Sequence, residues 1–110
     1  MRYNVDVVRI REKSITLNGW AIGKTPEEKA EFSVEDASKK PVKFKYVSTR
    51  RDDVSQIYFK EIIDRDFGFD IQFEYERGRD YYLVIRCGGR KVRIKYNEEL
   101  ITRRSSVAYK

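Results

Sequence analysis

Three clusters in this 110-residue chain combine residue types fit for chemistry. Asp64-Arg65-Asp66 sets two carboxylates one residue apart, a spacing at which both can converge on one hard divalent cation. Three features argue against a metal role. The triplet falls between an irregular stretch and a strand pattern, no parallel βαβ pattern or nucleotide-binding turn lies near it, and with 38% charged residues such triplets arise by chance. Arg50, Arg51, Asp52 and Asp53 set two forked donors beside two carboxylates. An Arg steadied by an Asp can grip sugar hydroxyls, but such pairs more commonly pin a loop, and that is the favoured reading of Arg51 with Asp53. Trp20, the sole tryptophan, can stack on a ring-shaped ligand or fill a core. Large aromatics usually end up buried, so the core reading leads. Tyr58, Phe59, Tyr81 and Tyr82 offer aromatic surface suited to a sugar and equally suited to strands. The residues singled out for ligand or interdomain contact are Trp20, Arg51, Asp53 and Tyr58.

The composition narrows the chemistry further. There is no His, the commonest general acid–base and zinc-binding side chain, and Cys87, the only cysteine, can form no internal disulfide or Cys-based metal cluster. No catalytic residue, metal ligand or cofactor is assigned to this chain. Its 24 Lys and Arg against 18 Asp and Glu leave a net charge of +6, a balance that alone suits nucleic acid. Most of the cations, however, have an acid neighbour or a solvated strand face to account for them. Lys39-Lys40, Arg50-Arg51 and Arg103-Arg104 remain, with no basic helical stripe and no aromatic signature of an RNA-binding sheet, so nucleic acid is an unlikely partner. No apolar run approaches the length of a membrane span, and the N-terminal MRYNVDVV lacks a signal-peptide layout, which points to a cytoplasmic setting.

The elements that must position these residues read as strands. The stretch Ser14 to Gly23, SITLNGWAIG, puts Ile15, Leu17, Gly19 and Ala21 on one face and Thr16, Asn18, Trp20 and Ile22 on the other. Both faces are partly apolar, as in a central strand covered on both sides, and Gly19 suggests a bulge or a close backbone approach. Tyr3 to Ile10 precedes it as a hairpin partner whose face switch at Val7-Val8 also hints at a bulge. Ala30-Phe32-Val34 and Val42-Phe44-Tyr46 alternate as third and fourth strands. Between Thr49 and Phe67 alternation lapses. There Val54, Ile57 and Tyr58 fall at helical spacing, Asp52 or Asp53 can cap the start, and the segment reads as a crossover between two sheets.

Alternation then returns in three strands. Gly88-Gly89 is a two-residue hairpin turn that pairs Cys87 with Arg90, Ile85 with Val92, Leu83 with Ile94 and Tyr81 with Tyr96. Reading Glu76 to Asp80 as a five-residue hairpin loop around Gly78 sets Tyr75 beside Tyr81, Phe73 beside Leu83, Ile71 beside Ile85 and Phe69 beside Cys87. The other face then carries a ladder of Asp70-Arg86-Lys91, Gln72-Val84-Arg93 and Glu74-Tyr82-Lys95, with Val84 pointing outward. The predicted fold is all-β: an antiparallel β-sandwich of about seven strands with one short helical crossover at about residues 52–60. Residues 1–97 form the domain, and residues 98–110 read as a linker or the start of a further domain.

Four short motifs carry a resemblance. GWA at Gly19 to Ala21, RxDV at Arg51, Asp53 and Val54, GFxI at Gly68, Phe69 and Ile71, and YYLVI at Tyr81 to Ile85 occur in that order. Together they resemble the N-terminal β-sandwich that precedes the catalytic domain in some bacterial family-2 glycosyltransferases, including those of rhamnose-rich cell-wall polysaccharide synthesis. The likeness runs from about Tyr3 to Tyr96. It implies a non-catalytic accessory module, in glycan binding or in positioning a downstream catalytic domain of the same polypeptide. It supplies no catalytic residue, and because the sugar-nucleotide site would lie downstream, Asp64 and Asp66 inherit no metal-binding role from it. The alternatives are a stand-alone protein-binding adaptor, a weak nucleic-acid-binding module or, least favoured, a complete small enzyme.

Overall fold

The computed structural model describes residues 1–101; Arg103, Arg104 and most of the predicted linker lie outside the described residues. Seven strands form two antiparallel sheets packed as a sandwich. In chain order they are β1 (Arg2–Arg11), β2 (Ser14–Ile22), β3 (Glu31–Asp36), β4 (Phe44–Thr49), β5 (Gly68–Glu74), β6 (Tyr81–Cys87) and β7 (Arg90–Tyr96), with α1 (Asp52–Phe59) between β4 and β5. The four-stranded sheet runs β1-β2-β5-β4 and the three-stranded sheet β3-β6-β7.

The core is the sum of the inward alternations. Ile15 and Leu17 of β2, Ile71 and Phe73 of β5 and Leu83 and Ile85 of β6 are at most 2% exposed. They form one apolar cluster with Val34, Phe69, Tyr75, Tyr81 and Tyr96. Burying side chains of this size is worth roughly 1.5–3 kcal/mol each, so the period-two pattern is the main determinant of the fold. Two hairpins match the sequence reading. β1 and β2 pair through Tyr3–Ala21 and Ile10–Ile15. The Gly88-Gly89 turn, with φ of 57° and 76°, sets β6 against β7 in the predicted register, Leu83 opposite Ile94.

The β5–β6 hairpin does not exist. β5 lies between β2 and β4, Ile71 facing Leu17 on one side and Tyr46 on the other, and residues 75–80 turn the corner into the second sheet. Phe73 and Tyr81 meet across the sandwich with ring centroids 5.6 Å apart. The predicted ladder therefore loses its β5 column. Arg93 instead donates to Glu35 Oε1 at 2.6 Å and Lys95 reaches Asp80 at 3.4 Å.

Four further expectations are corrected. The β1 bulge falls between Val5 and Val7, not at Val7-Val8, because Gly19 sits opposite Val5 and lets the β1 backbone press against it; a Cβ at Gly19 would collide with the carbonyl oxygen of Asn4. α1 joins β4 to β5, neighbours in one sheet, so the connection loops over the outer face of that sheet and does not cross to the other. Its N-cap is Arg51, without a side-chain capping bond, and Asp52 and Asp53 occupy the first turn, where their charge suits the helix dipole. Val84, expected to face outward, is fully buried. The packed body continues past β7: Asn97 caps a helical turn at 98–101 by accepting the Leu100 N–H at 2.8 Å, and Ile101 is buried in the main core.

Candidate functional site

Trp20, Arg51, Asp53 and Tyr58 do come together, on the outer face of the four-stranded sheet beneath α1. Trp20 is 9% exposed and forms a second apolar cluster with Ile22, Val54 and Phe67, bordered by Tyr58, Phe59 and Ile63. The Trp20 and Tyr58 rings lie 5.2 Å apart at 39°, and the Arg2 guanidinium sits over the Tyr58 ring, 5.1 Å from its centroid. α1 is only eight residues long, too short to persist alone in water, so this patch is what holds it.

Arg51 fastens its start. The guanidinium grips Asp53 with two hydrogen bonds of 2.9 and 2.8 Å and donates to Asp6 Oδ2 at 2.6 Å, tying the helix to the bulge of β1, the opposite edge strand from β4. The absence of a side chain at Gly68 makes room: a Cβ there would stand 2.7 Å from Arg51 Cγ and would strike the Thr49 hydroxyl. Arg51 holds the Asp53 carboxyl down at about 2, below its ordinary 3.8, chiefly through these hydrogen bonds. The Arg51 guanidinium is pushed higher still by the same bonds. The resemblance motifs around Trp20, Arg51 and Gly68 are thus parts of one clamp, with Trp20 opposite Gly68 in the β2–β5 pairing.

The Asp64-Arg65-Asp66 triplet does not converge on a cation position. Asp64 accepts from Arg50 at 2.6 Å and Asp66 from the Ser48 hydroxyl at 2.8 Å. Among the described residues no three His, Cys, Asp or Glu side chains are grouped to hold a metal ion. Ser55, buried within α1, donates to the Glu61 carbonyl and accepts the Ile63 N–H, which folds the segment after the helix back under it. Cys87 is buried against the Glu28 carbonyl and burial pushes its thiol above the ordinary value, the opposite of an activated nucleophile.

A concavity that the sequence reading did not single out lies at the end of the sandwich near the β1–β2 turn and the 76–80 corner. This open cleft of about 1520 Å³ has Phe44, Tyr75 and Tyr81 in its wall and Lys45, Gln72 and Glu74 along one side. Its rim is tied by ion pairs of Arg79 with Glu76 and Arg77 with Glu98, both at 3.0 Å. The only sequence signal for it was the position of two charged turns, and a hairpin at residues 76–80 would have placed them elsewhere.

Apolar surface is also left on the helical segment: Ile57 and Ile62 are 61% and 62% exposed. No helix among the described residues is long and apolar enough to cross a membrane. Comparison of the chain with protein-family models, curated proteins and solved structures finds no match. The glycosyltransferase likeness therefore rests on its short motifs alone.

Proposed function

We propose that the chain is a non-catalytic accessory β-sandwich domain of a bacterial glycosyltransferase, working in the cytoplasm to position a catalytic domain of the same polypeptide. One observation carries this choice over glycan capture at Trp20: the residues best equipped to hold a sugar are spent on fastening α1. Trp20 is roofed by Val54 and Tyr58, and all the donors that Arg51 turns toward carboxylates are taken by Asp53 and Asp6. What the clamp presents outward is apolar, Ile57 and Ile62, a surface suited to a docked domain. The coding sequence beyond Lys110 provides the first test. A nucleotide-diphospho-sugar domain there supports the reading and an immediate stop codon sinks it. Given such a domain, I57E together with I62E should lower glycosyl transfer by the full-length protein while leaving the melting temperature of residues 1–110 unchanged; unaltered transfer would remove the positioning role.

Glycan binding has one observation in its favour, the end cleft with aromatic wall and amide and ammonium donors at Gln72 and Lys45. Titration with cell-wall polysaccharide fragments should then shift the backbone amide resonances of Gln72 and Glu74 and leave Trp20 fluorescence still. Absence of any shift at the cleft discards this second reading.

A further inference from the structure

The sandwich has four edge strands, and three of them are protected. β1 is bulged between Val5 and Val7 and carries Arg2, Asp6, Arg9 and Arg11. β3 has its free side taken by the chain that follows it, through the Glu35–Pro41 bridge and the Val42 N–H to Val34 carbonyl bond of 2.8 Å. β7 carries Arg90, Lys91, Arg93 and Lys95 in seven residues. Bulges, covering segments and cations are the devices by which edges avoid pairing with other chains.

Among the described residues β4 has neither bulge nor covering segment, and only one cation. It is regularly paired to β5 along Phe44 to Thr49, holds a single Lys, and leaves Lys45, Tyr46, Val47 and Ser48 all exposed in succession. In a strand with one buried face every second residue should be covered, so four exposed residues in a row mark an open edge. Val47 is 61% and Tyr46 46% exposed, an apolar pair at the middle of an edge that no other strand among the described residues pairs with.

We infer that β4 pairs antiparallel with β4 of a second copy of this chain, on a two-fold axis through Val47, joining two four-stranded sheets into one of eight. The register follows from geometry and charge. An axis through a residue keeps the two faces in phase, and an axis through Val47 sets Tyr46 against Ser48 and Lys45 against Thr49, so no like charges meet within the strand. The most exposed apolar residue of the strand then packs on its own copy. The same operation on β7 about Arg93 would oppose Arg93 to Arg93 and Lys91 to Lys95, which is why β4 and not β7 is the pairing edge. One strand of six residues is a small contact, so the dimer is weak and concentration-dependent. This inference does not rest on the glycosyltransferase reading.

Sedimentation or light scattering of residues 1–110 at rising concentration should show the mass climbing from one chain toward two. V47K, a change at an exposed position, should keep the wild-type melting temperature and stay monomeric throughout. Spin labels at V47C should give a shorter inter-chain distance than labels at K45C or R90C. A wild-type chain that stays monomeric at the highest concentration reached overturns the inference. So does a dimer indifferent to V47K, or one whose shortest distance is at R90C.

Discussion

The two sheets each bury something on the face turned away from the core, and they do it by different means. On the four-stranded sheet Trp20 is covered by the side chains of a helix: α1 lies over it, pinned by Arg51 and closed by Ser55. On the three-stranded sheet Val84 is buried beside a long side chain of the adjoining strand. Arg93 leaves the neighbouring strand, lies 3.5 Å over the Tyr82 ring and ends on Glu35 of β3, so its stem and head cross β6 beside Val84. A long cation on a strand can thus help to cover a residue beside it, because its methylenes lie on apolar surface while its head stays wet. The difference lies in what each cover costs to remove: the helix is a cooperative unit, whereas the Arg93 roof is one side chain.

The largest effects should come from charges placed under either kind of cover. Leu83→Asp should abolish folding outright, since it puts a carboxylate in the main core. Val84→Asp should destabilise by about 3–5 kcal/mol, the usual cost of an uncompensated buried charge. Thermal denaturation of the pair separates the possibilities. A Val84→Asp protein as stable as wild type would mean that the Arg93 roof opens freely and the outer face of the three-stranded sheet is merely surface.

Trp20→Ala should cost about 3–4 kcal/mol, somewhat less than a core tryptophan because the site lies at the margin of the sheet. It should also raise amide exchange in α1 ahead of the strands, since the helix has little else to rest on. Uniform exchange through the whole domain would show that α1 and the sheet melt as one.

Much of this was legible in the chain. The β6–β7 register could be read because two glycines in sequence admit essentially one kind of turn, and the inward residues could be read because alternation at period two leaves one phase the more apolar in β2, β5 and β6. The β5–β6 relation could not. Phe73 and Leu83 belong to the same core whether their strands are neighbours in one sheet or face each other across two, and a five-residue link around Gly78 fits either arrangement. Alternation reports which side is wet; it does not report which strand is adjacent. Val84 escaped for a related reason, since the Arg93–Glu35 pair that spans β6 beside it comes from two other strands. The clamp was legible in its parts, Arg51 with Asp53 on sequence spacing and Trp20 as buried, but the third partner, Asp6, lies 45 residues away and is brought in by the bulge.

Removing single side chains from the covers gives smaller effects. Arg51→Ala should cost about 1–2 kcal/mol, as its charge-assisted bonds are 27% exposed on the Arg side and partly screened. Arg93→Ala should cost less, mostly lost packing over Tyr82. If Arg93→Ala proves the more damaging, the three-stranded sheet depends on its roof more than the other sheet depends on its clamp.

The smallest and most specific effect is in pH. Asp53 has a folded value of about 2 against an ordinary 3.8, held there by Arg51. Since the folded carboxyl takes its proton later than the unfolded one, the stability contributed by the pair is whole above about pH 4 and is lost as pH falls toward 2. The Asp53 carboxylate is 58% exposed, so the contribution is modest and salt-sensitive. Asp53→Asn should therefore melt slightly below wild type at neutral pH, and the gap should close between about pH 4 and pH 2 as the wild-type carboxyl becomes neutral too. Arg51→Ala should flatten the wild-type acid limb in the same window while leaving the limbs due to other carboxylates in place. A gap between Asp53→Asn and wild type that persists unchanged to pH 2 would mean that the side chain matters for its place in the first turn of α1, and that Asp6 alone holds Arg51.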